Sequence, residues 1–375
     1  MKTFLNRGLT AFALTAALTA PAAAQVIESD NTAYGTTAAE FLLLGAGARG
    51  SALGGAFSAL TSDVTALYYN PAGVALMQRP QAIVSTYSYV ADTRYSWLGI
   101  AFPMAGGQRA IGFSAGTFGF SGQPVYTVEE PEGDGSTYAV AETFIQGTYA
   151  QNFSDRFSAG LSLKYVNDEL GSTRASGLAV DFGTNFHATV GERPIRASFV
   201  IQNLGTTLAH RGADLNVGVD REPPLGTVPV PQEPAAAELK TKDFQLPAMF
   251  RVGVALDVVT QSNSRVTLLS EFTQPNNTRP GAGAGLELAL TNVGNSGFSF
   301  AARGSYSIQP DNDLDPGTGA GFTTQETLGS FTKDGLALGG GLEYSRGSLK
   351  LGFDYAWRSL GPLGSTNHLS FALGW

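Results

Sequence analysis

The sequence predicts an all-β fold: a transmembrane outer-membrane β-barrel of about 14 antiparallel strands with a small N-terminal helical plug, which we call the hatch. Three observations predict it. Apolar and polar residues alternate with period two over most of the chain after residue 80. Many of these segments are 10–13 residues long, every second link between them is short, and the three longest links fall among the others. We divide the chain into a signal peptide at 1–24, the hatch at 25–80 and the barrel at 81–375.

The first 24 residues have the three parts of a secretory signal peptide. Lys2 and Arg7 supply the positive start, residues 9–20 supply a short apolar region, and Ala22 to Ala24 form a small-residue cleavage site. The chain is therefore predicted to be exported. Its net charge of −8 argues against a nucleic-acid partner, and its lack of cysteine excludes disulfides and thiolate metal sites.

The hatch is predicted from residues 47–73, GARGSALGGAFSALTSDVTALYYNPAG, where apolar residues recur at helical spacing from Leu53 to Tyr68. Asp63 can cap a new helical turn and so divide this pattern into two pieces. Asn70-Pro71 is predicted to end the helix and to act as a hinge into the first strand, with Gly73 permitting an unusual turn. A simple helix stop before the barrel is an equally good interpretation of these residues.

Fourteen strands follow, an even number, as a closed bacterial barrel needs. The predicted segments are 81–91, 94–104, 108–118, 139–153, 156–167, 174–190, 194–204, 247–259, 264–274, 281–291, 297–309, 334–345, 347–358 and 366–375. Alternation alone fits a soluble sandwich as well as a barrel. The strand lengths favour tilted membrane-spanning strands, and Trp375 ends the chain on the apolar face, as the last strand of outer-membrane proteins does.

The links also favour a membrane barrel. The three longest, 119–138, 205–246 and 310–333, follow strands 3, 7 and 11, which places them all on one rim. Short turns on one rim and long loops on the other are typical of periplasmic turns and extracellular loops. The link at 205–246 is acidic and proline-rich; we interpret it as a surface loop with extended, mobile stretches, although a loop that captures a partner is the alternative.

Charged residues on the polar strand faces are predicted to point into the lumen. The candidates are Arg251, Asp257, Glu287, Arg303, Glu343 and Asp354, with Asp181, Glu271, Lys350 and Arg358 of the same kind. Their mixed signs predict ion pairs across the lumen rather than one ion-selective ring. We expect these groups to hold the hatch in place.

Catalysis and cofactor binding have little support in the sequence. None of the three histidines, His187, His210 and His368, forms a metal-ligand pattern, so no metal and no cofactor is predicted. His368 and Ser370 share a strand face, but residues two apart on a strand lie about 7 Å apart, too far for a nucleophile and its base. We therefore expect no enzyme activity and treat these two residues as ordinary lumen residues.

The hatch stretch resembles the N-terminal signature of the PorV/PorQ family, which is itself similar to FadL-type transporters with their NPA-containing hatch. The matching residues are Ala48, Arg49, Gly54, Ala56, Ala59, Asp63, Asn70, Pro71, Ala72 and Gly73. Further likeness lies at 200–205, 246–256, 341–344 and 353–375, so it spans nearly the whole mature chain. The closing segment resembles the PorV/PorQ branch more than the fatty-acid transporters.

The resemblance implies a bacterial outer-membrane location and two alternative functions. A PorV-like barrel assists type IX protein export or surface attachment, with secreted proteins that carry C-terminal signal domains and secretion-system components as partners. A FadL-like barrel passes hydrophobic small molecules through a hatch-gated lumen and a side opening. Outer-membrane lipid is a partner in both. The glycines of the third strand fit the second function, because they could weaken strand pairing and open a lateral gap.

Overall fold

The computed structural model describes residues 35–128, 130–133, 135–219, 234–309 and 335–375. The predicted signal peptide and the cores of two long links lie outside these residues. Fourteen long strands, β1 to β14, run through the described chain. They are Gln81–Ser88, Arg94–Met104, Arg109–Pro124, Thr137–Ser154, Phe157–Leu170, Thr173–Val190, Arg193–Gly205, Met249–Thr260, Ser264–Pro275, Gly281–Leu290, Phe298–Ile308, Leu336–Arg346, Leu349–Ser359 and Ser365–Gly374.

Every strand pairs antiparallel with its two neighbours, and β1 pairs with β14, so the sheet closes into a barrel. In the closing ladder Gln81 lies opposite Gly374 and Thr86 lies opposite Leu369. The prediction of a closed barrel with about 14 strands is confirmed. Closure leaves no strand edge with unpaired backbone groups, which a hydrocarbon environment requires. Among the described residues, no helix is both long and apolar enough to cross a membrane.

Strands β3 and β4 extend further than the sequence predicted, and the link between them shortens from 119–138 to 125–136. Pairing continues past Gly119 and Phe120 to Pro124, with one irregularity between Phe120 and Gln123. The expected lateral gap is wrong for β3, because it pairs with β2 and β4 from Arg109 to Gly119 without interruption. Its Gly112 makes room for the hatch instead, since an added Cβ atom would lie 2.5 Å from Leu67 Cδ2.

The two faces of each strand differ as predicted. On β8 the side chain of Arg251 is 5% exposed, whereas its neighbour Val252 is 39% exposed. Large apolar side chains cover the outer face of every part of the wall; examples are Phe113, Ile145, Leu161, Leu338 and Phe371. In a soluble protein so many exposed apolar side chains would promote aggregation, and in a bilayer they face lipid.

The links between strands occupy two distinct rims. Links after even-numbered strands are short and define the short-turn rim, and the other links define the long-loop rim. The link after β7 contains short strand pairs: Thr207–Leu208 with Phe244–Gln245, and Asn216–Val219 with Ala235–Glu238. In its described parts this link is therefore partly ordered into β-structure rather than uniformly extended.

Residues 35–80 lie inside the barrel, and their helices are short. The α-helices are Ala48–Ala52 (α1) and Ala66–Tyr69 (α2), and the 3₁₀ segments are Glu40–Leu43 and Pro71–Leu76. The continuous helical pattern read from the sequence is wrong between residues 53 and 60, where the chain forms successive turns. Gly54 and Gly55 have φ values of +63° and +80°, which a right-handed helix cannot contain. The break near Asp63 is present, since α2 begins three residues later.

Asn70-Pro71 is not a hinge into the first strand, which is a correction to the sequence interpretation. Asn70 ends α2 and at once begins the next segment, with Pro71 at the first position of Pro71–Leu76. A proline is accepted there because the first N–H of a helical segment has no partner within it. Gly73 does not have a positive φ. Only glycine fits at this position, because a Cβ atom would lie 2.5 Å from Thr61 Oγ1.

Candidate functional site

The hatch divides the lumen into a chamber on the long-loop side and smaller cavities on the short-turn side. The chamber has a volume of about 730 Å³. Leu44, Ser51, Gly55 and Ala56 of the hatch form its floor. Thr273, Gln309 and Leu360 lie near or just beyond the long-loop ends of their strands, and with Glu142 they line its upper wall. Cavities of 300–1,000 Å³ are typical of small-molecule sites.

Part of the chamber wall is aromatic. Phe41 of the hatch stacks on Phe118 of β3 with ring centroids 6.4 Å apart, and Tyr89 meets Phe118 edge-on at 6.2 Å. Tyr87 lies further along the wall, with its hydroxyl donating to the Leu44 carbonyl at 2.9 Å. These rings give the chamber an apolar side onto which a hydrophobic molecule can pack.

Charged groups occupy another part of the chamber wall. Arg251 donates from Nη1 to Glu271 Oε1 at 2.9 Å and to the Gly55 carbonyl at 3.2 Å. Ser58 donates to Glu271 Oε2 through its backbone N–H at 2.9 Å and its hydroxyl at 2.5 Å. Arg251 and Glu271 therefore pair with each other, and both also bond the turns of the hatch.

The vestibule, a cavity of about 300 Å³ on the short-turn side, is lined by Arg49, Asp63, Glu287, Arg303 and Asp354. Arg49 makes a bidentate contact with Glu287, at 2.9 Å from both Nε and Nη2, and a third bond to Asp63 at 2.5 Å. Such paired guanidinium–carboxylate bonds combine strength with fixed geometry. The hatch and the wall thus meet here through one arginine.

Glu287 binds two further arginines of the wall. Arg303 on β11 lies 2.8 Å from Glu287 and 2.6 Å from Asp354, and Arg265 on β9 lies 3.2 Å from Glu287. Only 1% of the Glu287 side chain is exposed. Three arginines and three carboxylates, with Asp63 included, form one network of neutral formal charge. We call it the ionic cluster. Its bonds join the hatch to β10 and join β9, β10, β11 and β13 of the same side of the wall to one another.

Asp63 lies on the hatch side of the ionic cluster. Burial by itself raises the pKa of its carboxyl, but Arg49 and the hydrogen bonds from Thr65 outweigh burial and hold that pKa below its ordinary value. Asp63 is therefore ionised at neutral pH. Its Oδ1 also accepts the Thr65 N–H at 2.9 Å, so the same carboxylate shapes the turn that leads into α2.

The other half of the hatch is held by neutral amides, which the sequence analysis did not identify. Gln146 of β4 donates to the Leu67 carbonyl at 2.6 Å, and Gln202 of β7 donates to the Tyr68 carbonyl at 2.5 Å. Asn152 donates to the Ala75 carbonyl at 2.8 Å. These carbonyls lie at or near helix ends and have few partners within the helices. The QN pair of VIQNLG was the one sequence signal that could have indicated Gln202.

Asn70 joins this amide-held half directly to the barrel. Its Nδ2 donates to the Ser58 carbonyl at 3.0 Å and to the Thr184 carbonyl of β6 at 3.1 Å, while its Oδ1 accepts the Ala72 N–H at 3.1 Å. The side chain is fully buried. One amide therefore connects two parts of the hatch with the wall.

The remaining predicted site residues have different surroundings. Gly54 approaches Ser305 of β11, where an added Cβ would lie 2.9 Å from the hydroxyl oxygen. Asp257 pairs with Arg196 of the wall, and Glu343 pairs with Lys350 at 2.7 Å. Neither of these two pairs includes a hatch residue. Of the predicted lumen charges, Arg251 and Glu287 bond hatch residues directly, and Arg303 and Asp354 are linked to the hatch only through Glu287, whereas Asp257 and Glu343 pair with the wall.

His368 and Ser370 do not form a pair. His368 Nδ1 lies 3.1 Å from the Ser51 hydroxyl and Nε2 lies 2.9 Å from the Thr366 hydroxyl. Ser370 accepts the Ala48 N–H at 2.7 Å. Both residues hold α1 of the hatch. In the part of the chain that the structure describes, no group of three or more histidine and acidic side chains is arranged to hold a metal ion.

Comparisons with known proteins agree with this architecture. The model described as "Uncharacterised protein family (UPF0164)" matches residues 14–178, which include the hatch and strands β1 to β5. No curated protein matches the sequence. The resemblance to PorV/PorQ is not confirmed by these matches.

Several solved structures share the fold at low sequence identity. A monoaromatic hydrocarbon channel, CymD, matches with a TM-score of 0.52 and 13% identity over 88% of this chain and 97% of its own. The toluene transporter TbuX of Ralstonia pickettii has a TM-score of 0.51 and 13% identity over 89% and 98%. The toluene transporter TodX of Pseudomonas putida has a TM-score of 0.50 and 12% identity over 88% and 97%. The chain thus shares the β-barrel fold of these three proteins.

Proposed function

We propose that this protein is an outer-membrane channel that admits hydrophobic small molecules to the chamber and passes them inward when the hatch moves. The observation that carries the proposal is the chamber itself, about 730 Å³ with an aromatic side and a floor made by the hatch. The structural relatives CymD, TbuX and TodX are described as hydrocarbon channels or toluene transporters, which favours this function over protein export.

Location and direction follow from the same features. The N-terminal signal sequence and the apolar outer wall support an outer-membrane location in a Gram-negative-type bacterium. The short-turn rim then faces the periplasm and the long-loop rim faces the exterior. A hydrophobic molecule would enter the chamber from outside, pack on Phe41, Tyr89 and Phe118, and leave past the hatch.

The test is uptake of radiolabelled toluene by cells that express the barrel in a Gram-negative host without another hydrocarbon channel. Phe118→Ala removes an aromatic ring of the chamber, and we expect uptake to fall by about threefold to tenfold, because one aromatic contact contributes about 0.5–1.5 kcal/mol to packing of a small apolar ligand. Phe113→Ala is the matched control, since Phe113 lies on the same strand but is 56% exposed on the outer face.

Native mass spectrometry of the purified barrel with toluene or a long-chain fatty acid extends the test to binding. We expect at least one of these probes to be retained by the parent protein and to be lost in Phe118→Ala. Equal uptake by the two phenylalanine variants, together with no retained probe, would contradict the proposal.

Protein export of the type IX kind is the second prediction from the sequence. The closing segment at 353–375 and the long loops on one rim support it. Its test is a pull-down from detergent-solubilised membranes, with and without the three long links. If no secreted protein or translocon component is recovered in either case, this function is wrong.

A further inference from the structure

The two halves of the hatch are bound to opposite walls by different chemistry. We define the latch segment as residues 48–65 and the anchor segment as residues 66–76. Helix α1 of the latch segment packs on β11 to β14, and Pro71–Leu76 of the anchor segment packs on β3 to β6. Charged side chains of the wall hold the latch segment together with the neutral Ser305, His368 and Ser370, whereas the wall holds the anchor segment through neutral amides alone.

The latch segment is also the barrier between the cavities. Ser51, Gly54 and Ala56 line the chamber, while Arg49 and Asp63 line the vestibule. A third cavity of about 310 Å³ on the short-turn side is lined by Ala59 to Ser62. Displacement of this one segment would therefore join the chamber to both cavities beneath it.

The charges around the latch segment divide into sets that are each neutral. Arg49 and Asp63 both belong to the hatch and pair with each other at 2.5 Å. On the wall, Arg251 pairs with Glu271 at 2.9 Å. The rest of the ionic cluster has two arginines, Arg265 and Arg303, and two carboxylates, Glu287 and Asp354.

We propose that the latch segment is the moving part of the hatch and that it leaves the wall as a neutral unit, carrying Arg49 and Asp63 together, while the anchor segment stays docked. Breaking a buried ion pair is expensive chiefly because it leaves a charge without a partner. Here each charged group that loses a bond when the latch segment leaves keeps an opposite charge beside it, either within the latch segment or within the wall. This mechanism rests on the proposed function, because it specifies how the passage opens.

The anchor segment has no charged side chains that could leave the wall as a neutral pair. Its release would leave the carbonyls of Leu67, Tyr68 and Ala75 without their amide donors. It is also closely packed, since a Cβ atom on Gly160 would lie 2.5 Å from the backbone of Pro71. Its separation would expose these three carbonyls, at a cost of about 1–3 kcal/mol each.

The test compares variants that leave the hatch neutral with variants that do not. In Arg49→Gln/Asp63→Asn the hatch and the wall each stay neutral, but the ion pair between Arg49 and Glu287 is removed. We therefore expect the open state to become roughly tenfold more populated. In Asp63→Asn alone, release would leave Arg49 without a partner in the hatch, so we expect opening to become roughly tenfold rarer. A purely structural role for Asp63 predicts the reverse for the single variant.

Two measurements report the opening without any hydrophobic substrate. Single-channel conductance in planar bilayers reports how often the lumen opens. Hydrogen exchange followed by mass spectrometry reports which segment moves, and we expect residues 48–65 to exchange faster than residues 66–76 in the parent protein. Glu169→Gln is the matched control, because its pair with Arg174 lies on the long-loop rim, away from the hatch.

A reversible cross-link completes the design. The chain has no cysteine, and a Cβ atom on Gly283 would lie 3.3 Å from the Cβ atom of Ala56, close to the span of a disulfide. Ala56→Cys/Gly283→Cys should abolish conductance when oxidised and regain it on reduction.

More frequent opening of Asp63→Asn, or equal exchange of both segments, would overturn the mechanism. So would undiminished conductance of the oxidised cross-linked protein. A lack of toluene uptake alongside the expected conductance would instead contradict only the proposed function.

Discussion

The side chain of Asn70 occupies the space that a Cβ atom on Gly183 would need. An alanine at that position of β6 would overlap Asn70 Oδ1 and lie 2.8 Å from Pro71 Cδ. The Asn-Pro pair of the hatch is therefore matched by a glycine in the wall, and the same amide donates to the carbonyl of Thr184 beside that glycine. The fit between these two residues holds the anchor segment against β6.

Gly183→Ala should loosen the anchor segment without unfolding the barrel. Overpacking of a tight contact costs about 1–3 kcal/mol, and the barrel wall can keep its own hydrogen bonds while the hatch shifts. We expect faster hydrogen exchange at residues 70–76 and unchanged heat-modifiable migration of the barrel on gels.

Gly147→Ala is the control for this substitution. A Cβ atom there would have only Phe113 Cε1 within 4 Å, at 3.9 Å. Equal exchange in the two alanine variants would show that the contact between Asn70 and Gly183 is unimportant for docking.

Loss of Arg251 should destabilise the protein far more than loss of both members of its pair. Arg251→Met leaves Glu271 buried without its cation, and we expect a loss of about 3–5 kcal/mol in the free energy of unfolding. Arg251→Met/Glu271→Met removes both charges and should recover at least half of that loss. Urea titration of the refolded barrel in detergent measures both. A double variant no more stable than the single one would contradict the pairing.

Trp97 should report on hatch docking through its fluorescence. The chain has three tryptophans, so Trp357→Phe/Trp375→Phe leaves Trp97 as the single emitter. Trp97 is 1% exposed and lies inside the barrel. We expect blue-shifted emission that iodide does not quench.

Asn70→Ala in the same background should make Trp97 accessible to iodide, because it removes the amide that ties α2 to the wall. Gln78→Ala, at an exposed position two residues after the anchor segment, is the control and should leave quenching unchanged. Identical quenching of the two variants would mean that Asn70 does not control docking.

Replacement of His368 and Ser370 should leave the protein without any catalytic defect. His368 contacts Ser51 and Thr366, and Ser370 accepts a backbone N–H of the hatch, so neither is free to act as nucleophile or base. We expect no labelling of the parent protein by a fluorophosphonate probe. Labelling that disappears in His368→Ala/Ser370→Ala would revive a catalytic function.

Much of the barrel could be predicted from the sequence because its environment is uniform. Each strand has lipid on one face and the lumen on the other, so apolar and polar residues alternate along its sequence. In β13, for example, Leu351, Phe353 and Tyr355 alternate with Lys350 and Asp354. The hatch has wall on every side, so its apolar residues are buried at all angles. Helical spacing from Leu53 to Leu60 was therefore misleading, and the positive φ of Gly54 and Gly55 produced turns instead.

The sequence by itself determined the strand number, the rim on which the long loops lie, and the presence of a plug rich in small residues. Only the tertiary structure decided which lumen charges touch that plug. Glu287 and Glu343 both lie on polar strand faces, yet one binds Arg49 of the hatch and the other binds Lys350 of the wall. The physical reason is that ion-pair partners depend on distances across the closed barrel, between residues as far apart as Arg49 and Glu287, which no local pattern records.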